Sequence, residues 1–120
     1  MIQAADTIEK YKRCLEFLEK FDYKTLPYSI LFFKEDKGEI ISVGGYHRDW
    51  GAMIEPLYSE DSLRGVKATI EMYFFMSEYL KRLGHLIVRI KSHNEKVIKM
   101  ALKRFKFKKQ EDITYLAKEL

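Results

Sequence analysis

The stretch Leu57-Tyr58-Ser59-Glu60-Asp61-Ser62-Leu63-Arg64-Gly65-Val66-Lys67 opens the segment from Leu57 to Asn94 that decides the fold. It reads as the end of a strand, then a polar loop over Ser59 to Lys67 that leads into a long apolar helix. Val66, Ile70, Tyr73, Phe74, Met76, Leu80 and Leu83 recur at helical spacing and predict a wide face packed on a sheet, with Gly84 as the C-terminal stop. His85 to Lys91 alternates as a strand, so the unit is strand, helix, strand, a parallel crossover. The first turn of such a helix presents unpaired N–H groups at the positive end of its dipole, so a ligand bound by the loop and helix start is expected to be an anion.

The rest of the chain extends that unit on both sides. Upstream, Ile8, Tyr11, Leu15 and Leu18, flanked by Cys14, Phe17 and Phe21, give a helix from Thr7 to about Phe21 with one buried stripe, and Thr7 is the expected cap. Pro27 excludes helix beyond it. Tyr28 to Phe33 is a strand covered on both faces, Glu35-Asp36-Lys37-Gly38 a turn, and Glu39 to Val43 its return. Gly44-Gly45 marks a bulge or a close approach, and Tyr46 to Gly51, with His47, Asp49 and Trp50, a turn or strand extension on the surface. Ala52 to Tyr58 completes a three-strand meander; Pro56 lacks an N–H and predicts an edge, a bulge or a splay just before the Ser59 loop. Downstream, Asn94 caps a helix whose Val97, Ile98, Ala101, Leu102 and Phe105 share a face, and two short strands, about Phe105 to Gln110 and Ile113 to Ala117, close a hairpin around Glu111-Asp112. The fold class is α/β (α+β): an antiparallel meander followed by a parallel β-α-β crossover in one mixed sheet, with helices on both faces.

Composition bounds the rest. A chain of 120 residues with 47% hydrophobic content buries one core, so a single domain over 1–120 is expected. No apolar run approaches the roughly 20 residues that span a bilayer, and Met1 to Asp6 lacks the features of a signal peptide, so the expected setting is cytoplasmic, with no membrane partner. The single cysteine, Cys14, sits on an amphipathic helix and reads as a small buried apolar residue, with a nucleophile as the other reading. His47, His85 and His93 are dispersed without ligand spacing, so no metal is expected, and there is no Gly-x-Ser-x-Gly elbow for a serine hydrolase. The net charge is +4, and the seven basic residues between Lys96 and Lys109 stand without an acidic one, either as a solvated face or as a patch for the phosphates of a cofactor or of nucleic acid.

The order of elements, with Leu86-Ile87-Val88-Arg89-Ile90 leading to Asn94-Glu95-Lys96-Val97-Ile98-Lys99-Met100 and Lys103-Arg104-Phe105-Lys106-Phe107, resembles the acyl-CoA N-acyltransferase (GNAT) superfamily over roughly Tyr28 to Leu120. Of the family's pyrophosphate motif, Gln/Arg-x-x-Gly-x-Gly/Ala, Arg64 matches the first position and Gly65 a glycine, while Lys67 and Thr69 stand where small residues belong. The family's usual helix tyrosine aligns near Ala101 and is absent, and the first strand and one N-terminal helix are not legible. Compact, divergent chains of this kind also occur in phage genomes.

The resemblance implies acyl transfer from acetyl-CoA, or another acyl-CoA, to an amine acceptor, a small molecule or a protein. It implies that the backbone of Leu57 and Tyr58 holds the pantetheine arm, that Arg64, Gly65, Val66, Lys67 and Ala68 hold the pyrophosphate, and that Asn94 borders the arm. Glu55, on the strand beside the splay, is the candidate base, and Tyr115 a spare candidate for the acid that protonates the thiolate. Two alternatives stay open. One is a catalytically degenerate member of the fold that serves as a binding or structural module. The other is a nucleic-acid-binding domain using the Lys99 to Lys109 segment, with Phe105 and Phe107 as stacking groups.

Overall fold

The computed structural model describes residues 1–25, 29–47, 53–91, 95–109 and 115–119. The first apolar stripe folds as helix α1 (Ile8–Glu19), and the Thr7 hydroxyl accepts from the Lys10 N–H at 3.1 Å as its cap. Its buried face is turned relative to the expected stripe: Cys14, Phe17 and Leu18 are buried while Ile8 stands exposed in the first turn. Burial pushes the Cys14 thiol up to about 12, which fits the apolar reading over the nucleophilic one.

α1 covers β2 (Ser29–Asp36) and β3 (Glu39–His47), meeting Leu31, Phe33 and Val43. The opposite face of β2 presents Phe32, whose ring meets Phe75 and Tyr79 edge-on at 4.9 and 5.0 Å. β2 is thus covered on both faces, as its continuous apolar run implies. β4 (Met53–Ser59) completes the meander, α2 (Leu63–Arg82) crosses over, and β5 (Ile87–Lys91) lies parallel to β4. α2 ends in a Schellman turn at Gly84, with the His85 N–H on the Leu80 carbonyl and the Gly84 N–H on that of Lys81. Its core face is Ala68, Thr69, Met72, Tyr73, Met76 and Leu80; Val66, Phe74 and Leu83, expected on that face, are exposed.

α3 (Glu95–Lys103) adds Val97 and Ala101 to the same core as α2, and β6 (Lys108–Lys109) and β7 (Tyr115–Glu119) close the sheet. The strand order is β1-β2-β3-β4-β5-β7-β6, antiparallel throughout except for β4 and β5. Two expectations are corrected. A first strand is present as β1 (Ile2–Ala4), which pairs antiparallel with β2 and is too short for a period to show. The closing hairpin is shifted: β6 is only two residues long, because Lys106 takes a φ of 57° and turns Phe105 and Phe107 back onto Tyr73. Phe105 stacks on Tyr73 at 3.7 Å and Phe107 meets it edge-on at 5.7 Å, so both rings are buried and neither is offered to a base. The segments holding Asp49, Trp50, His93, Asn94 and Glu111-Asp112 lie outside the described residues.

The close approach at Gly44-Gly45 is internal. A Cβ on Gly45 would stand 2.4 Å from the Ile30 backbone oxygen, and one on Gly44 2.5 Å from Met72 Cγ. The register with β4 shifts between Gly44 and Tyr46. Backbone cannot give way as a methionine does, so Gly45→Ala is expected to cost about 1–3 kcal/mol and Gly44→Ala less. Urea midpoints of the two variants check this, and equal losses would refute it.

Candidate functional site

Among the described residues β4 and β5 form a fork. They pair in parallel at Met53 with Arg89 and Ile54 with Ile90. Past that point β4 carries Glu55 and Pro56, and Pro56 has no N–H for a neighbour. β4 then stays with β3, Leu57 opposite Gly44 and Tyr58 opposite Val43, while β5 stays with β7 as far as Lys91 opposite Tyr115. The backbone of Leu57 and Tyr58 thus runs along one arm of the fork. The extra residue on β4 breaks the alternation: Ile54 and Leu57 both lie in the core under α2, whereas Glu55 and Tyr58 face the α1 side.

Beyond the β4 arm lies a groove of about 470 Å³, between the first turns of α2 and α3 and the end of α1. Phe21, Ser59, Glu60, Asp61, Gly65, Val66, Thr69, Glu95, Lys96, Val97 and Met100 line it. Hydroxyls brace its floor: Thr69 donates to Ser59 at 2.6 Å, and Ser59 to Ser42 at 2.8 Å. Lys96 reaches across to Asp61 at 2.5 Å, joining the start of α3 to the loop before α2.

The helix start differs from an open anion cradle. Arg64, Gly65, Val66 and Lys67 lie inside the first turn of α2, because Ser62 caps it and accepts from the Gly65 N–H at 3.1 Å. Arg64 is turned away from the helix axis into carboxylates. Its Nε and one terminal nitrogen each donate to Glu60 at 2.7 Å, and the other donates to Asp36 at 3.0 Å, with Glu39 at 3.7 Å. The Glu60 carboxylate also accepts from Ser62 at 2.5 Å. Arg64, then Ser62, hold Glu60 down to about 2, and the same carboxylates raise Arg64. Gly65 is required by this loop itself, since a Cβ there would lie 1.7 Å from the Glu60 carbonyl oxygen. Lys67 is exposed, and the Ala68 side chain is in the core.

On the α1 side, Glu55 has company that the sequence did not announce. The Tyr23 hydroxyl donates to Glu55 Oε1 at 3.2 Å. Glu55 Oε2 is buried, and among the described residues no group donates to it. Tyr58 stands 5.2 Å from the Tyr23 ring and 5.1 Å from Phe21, which in turn packs 5.3 Å from Phe17. Burial, then the Glu55 charge, raises both tyrosines, so they are neutral phenols near pH 7. Tyr23 follows α1 and lies 32 residues before Glu55, too far along the chain for any local pattern to connect them. Of the remaining candidates, Asn94 lies outside the described residues, and Tyr115 sits on β7 opposite Lys91 with its side chain outside them. Among the described residues no cluster of His, Cys, Asp or Glu could hold a metal, and no helix is long and apolar enough to cross a membrane.

The fold is that of the GNAT acyl-CoA N-acyltransferases. An acetyltransferase of the GNAT family from Staphylococcus aureus superposes with a TM-score of 0.67 at 10% identity, covering 100% of this chain and 99% of that one. The aminoglycoside 6'-N-acetyltransferase from Enterococcus faecium gives 0.66 at 13%, covering 99% and 96%. An aminoglycoside 6'-N-acetyltransferase complexed with coenzyme A gives 0.62 at 12%, covering 99% and 96%. No sequence-family model matches the chain, and no curated protein does.

The Arg64 cluster makes a prediction in acid. Glu60 titrates at about 2 when folded against 4.5 as the ordinary value, so its pairing contributes stability above about 4.5 and loses it as the pH falls toward 2. Arg64→Met removes the partner, so the stability gap between wild type and variant is expected to shrink over that window. Urea midpoints at both ends measure it, and parallel curves would refute the pairing.

Proposed function

We propose that this chain is an acyl-CoA-dependent N-acyltransferase that moves an acetyl group from acetyl-CoA to an amine by direct attack. The observation that carries the reading is the fork between β4 and β5, opening beside a groove at the first turns of α2 and α3. The fold supports it, and one similar structure is a complex with coenzyme A.

The residues fit the cofactor unevenly. The β4 arm at Leu57 and Tyr58 offers backbone to an amide-bearing pantetheine, and the groove has room for it. At the pyrophosphate end, the first turn at Gly65, Val66 and Ala68 supplies the helix dipole and Lys67 a point charge, while Arg64 has to exchange Glu60 for phosphate. When bound, acetyl-CoA supplies an activated thioester and a thiolate leaving group. Glu55 would take a proton from the acceptor ammonium, directly or through water, leaving the neutral amine that attacks the thioester carbon, with Tyr23 holding its other oxygen. Asn94 borders the arm and Tyr115 is the candidate donor to the departing sulfur. The cytoplasm is the setting in which such a cofactor would be met.

The carboxylates around Arg64 favour a second reading, in which the fold is kept as a binding or structural module without catalysis. One titration separates the two. Calorimetry with acetyl-CoA and free CoA is expected to give saturable binding that Lys67→Glu weakens. Glu55→Gln is expected to keep that binding and lower kcat in an amine screen by about 10²–10⁴. Absence of binding at millimolar cofactor would leave the module reading.

A further inference from the structure

The outer surface of α2 and α3 carries features that neither the core nor the groove uses. Leu63, Val66, Ile70 and Phe74 fall three, four and four residues apart, so they share one edge of α2 beside its core face. Ile70 packs against the core, but Leu63 is 73% exposed, Val66 43% and Phe74 59%. α3 runs alongside this edge. Val66 lines the groove with Lys96 and Met100, and about two turns further along α2 the Phe74 ring meets Phe105 at 5.8 Å. Lys103 follows Met100 by three residues, which puts it on the same side of α3, and Arg104 and Lys106 flank Phe105.

The charges on this surface are not answered within the protein. Lys99, Lys103, Arg104 and Lys106 are exposed, and among the described residues none of them has a carboxylate at ion-pair distance. Like charges gathered at one helix end repel, and an exposed apolar stripe at helical spacing leaves ordered hydrophobic area in water. An acidic amphipathic helix answers both, with apolar side chains at the same spacing and carboxylates beside them. Leu63 to Phe74 spans about 16 Å, which matches three turns of such a helix. Nucleic acid would use the cations and not the aliphatic edge, and Phe105 and Phe107 are buried. A flat anionic bilayer would meet Asp61 and Glu95, both exposed at the head of this surface, whereas a helix can end short of them.

We propose that the α2–α3 surface docks an acidic amphipathic helix of a protein partner, its apolar residues along Leu63, Val66 and Phe74 and its carboxylates on Lys103, Arg104 and Lys106. The docking surface adjoins the groove and does not rest on the transferase reading.

The test uses the intact protein and a fluorescein-labelled three-heptad peptide with Leu at positions a and d, Glu at b, e and g, and Ala elsewhere, followed by fluorescence anisotropy. One control peptide replaces each Leu by Ser and keeps the charge; the other replaces each Glu by Lys and keeps the stripe. Saturable binding of the Leu/Glu peptide is expected, about tenfold or more tighter than either control. Leu63→Ser and the double variant Lys103→Glu/Arg104→Glu are each expected to weaken it about tenfold, with thermal midpoints unchanged because these side chains are exposed. In the wild type, amide shifts on binding are expected along 63–74 and 99–106, a readout that depends on no variant. A duplex oligonucleotide and phosphatidylserine vesicles are the rival probes. No saturable binding of the Leu/Glu peptide, equal binding of the Ser peptide, shifts confined to other elements, or tighter binding of the oligonucleotide or the vesicles would overturn the proposal.

Discussion

A central strand holds its place by hydrogen bonds along both edges, and β4 gives up one of them partway along. Its parallel pairing with β5 covers Met53 and Ile54, and the next two residues are Glu55 and a proline that cannot donate. The extra residue sits on β4 itself, where Leu57 to Ile54 spans three steps against two from Gly44 to Tyr46 on β3, and β4 remains anchored on that side up to Ser59. The fork is therefore held open by a well-formed meander and not by a weak strand. α2 seals one face of that meander through Met72, Met76 and Leu80, and α1 seals the other through Cys14, Phe17 and Leu18. Everything proposed for the site depends on that opening: among the described residues the parallel ladder ends at Ile54 and Ile90, and the β4 backbone beyond it has no β5 partner.

The start of α2 shows how a helix N-terminus can be committed to its own protein. Ser62 takes the Gly65 N–H, Glu60 lays its carbonyl over Gly65, and the Glu60 carboxylate holds Arg64 beside Asp36 and Glu39. The arrangement ties the β2–β3 turn to the loop before α2, and it neutralises Arg64, one of the two cations that the family resemblance assigns to phosphate, while Lys67 stays exposed. Its groups are solvent-accessible, so the pairs are screened and a dianionic competitor meets a labile partner and not a buried one. The loop is thus compatible with phosphate and already stable without it.

The sequence carried the elements well and the contacts between them poorly, for a physical reason. Helical and strand periods are local, so α2, β5, the covered β2 and the Gly84 stop are legible in runs of a few residues. β1 is three residues long and has no period to read. The inward faces of α1 and α2 depend on what they pack against, which is why Ile8, Val66 and Phe74 proved exposed. The partners of Glu55 and Arg64 come from other elements: Tyr23 from the segment after α1, Asp36 from the β2–β3 turn. Phe105 and Phe107 read as core first and as stacking groups only second, and the turn at Lys106 folds both onto Tyr73 in the core.

The two faces of the sheet divide the proposed work. The groove at the starts of α2 and α3 is lined by the charged Glu60, Asp61, Glu95 and Lys96 together with Phe21, Val66, Val97 and Met100, whereas the α1 side near Glu55 is aromatic with a single carboxylate. On the proposed function the cofactor would lie in the first environment and the acceptor would enter from the second, and a continuous sheet would keep them apart. The interruption at Glu55 and Pro56 is where they meet. The Glu55 carboxylate faces the α1 side while its own backbone belongs to the fork, so on the proposed function the strand defect that would admit one substrate also positions the group that would activate the other.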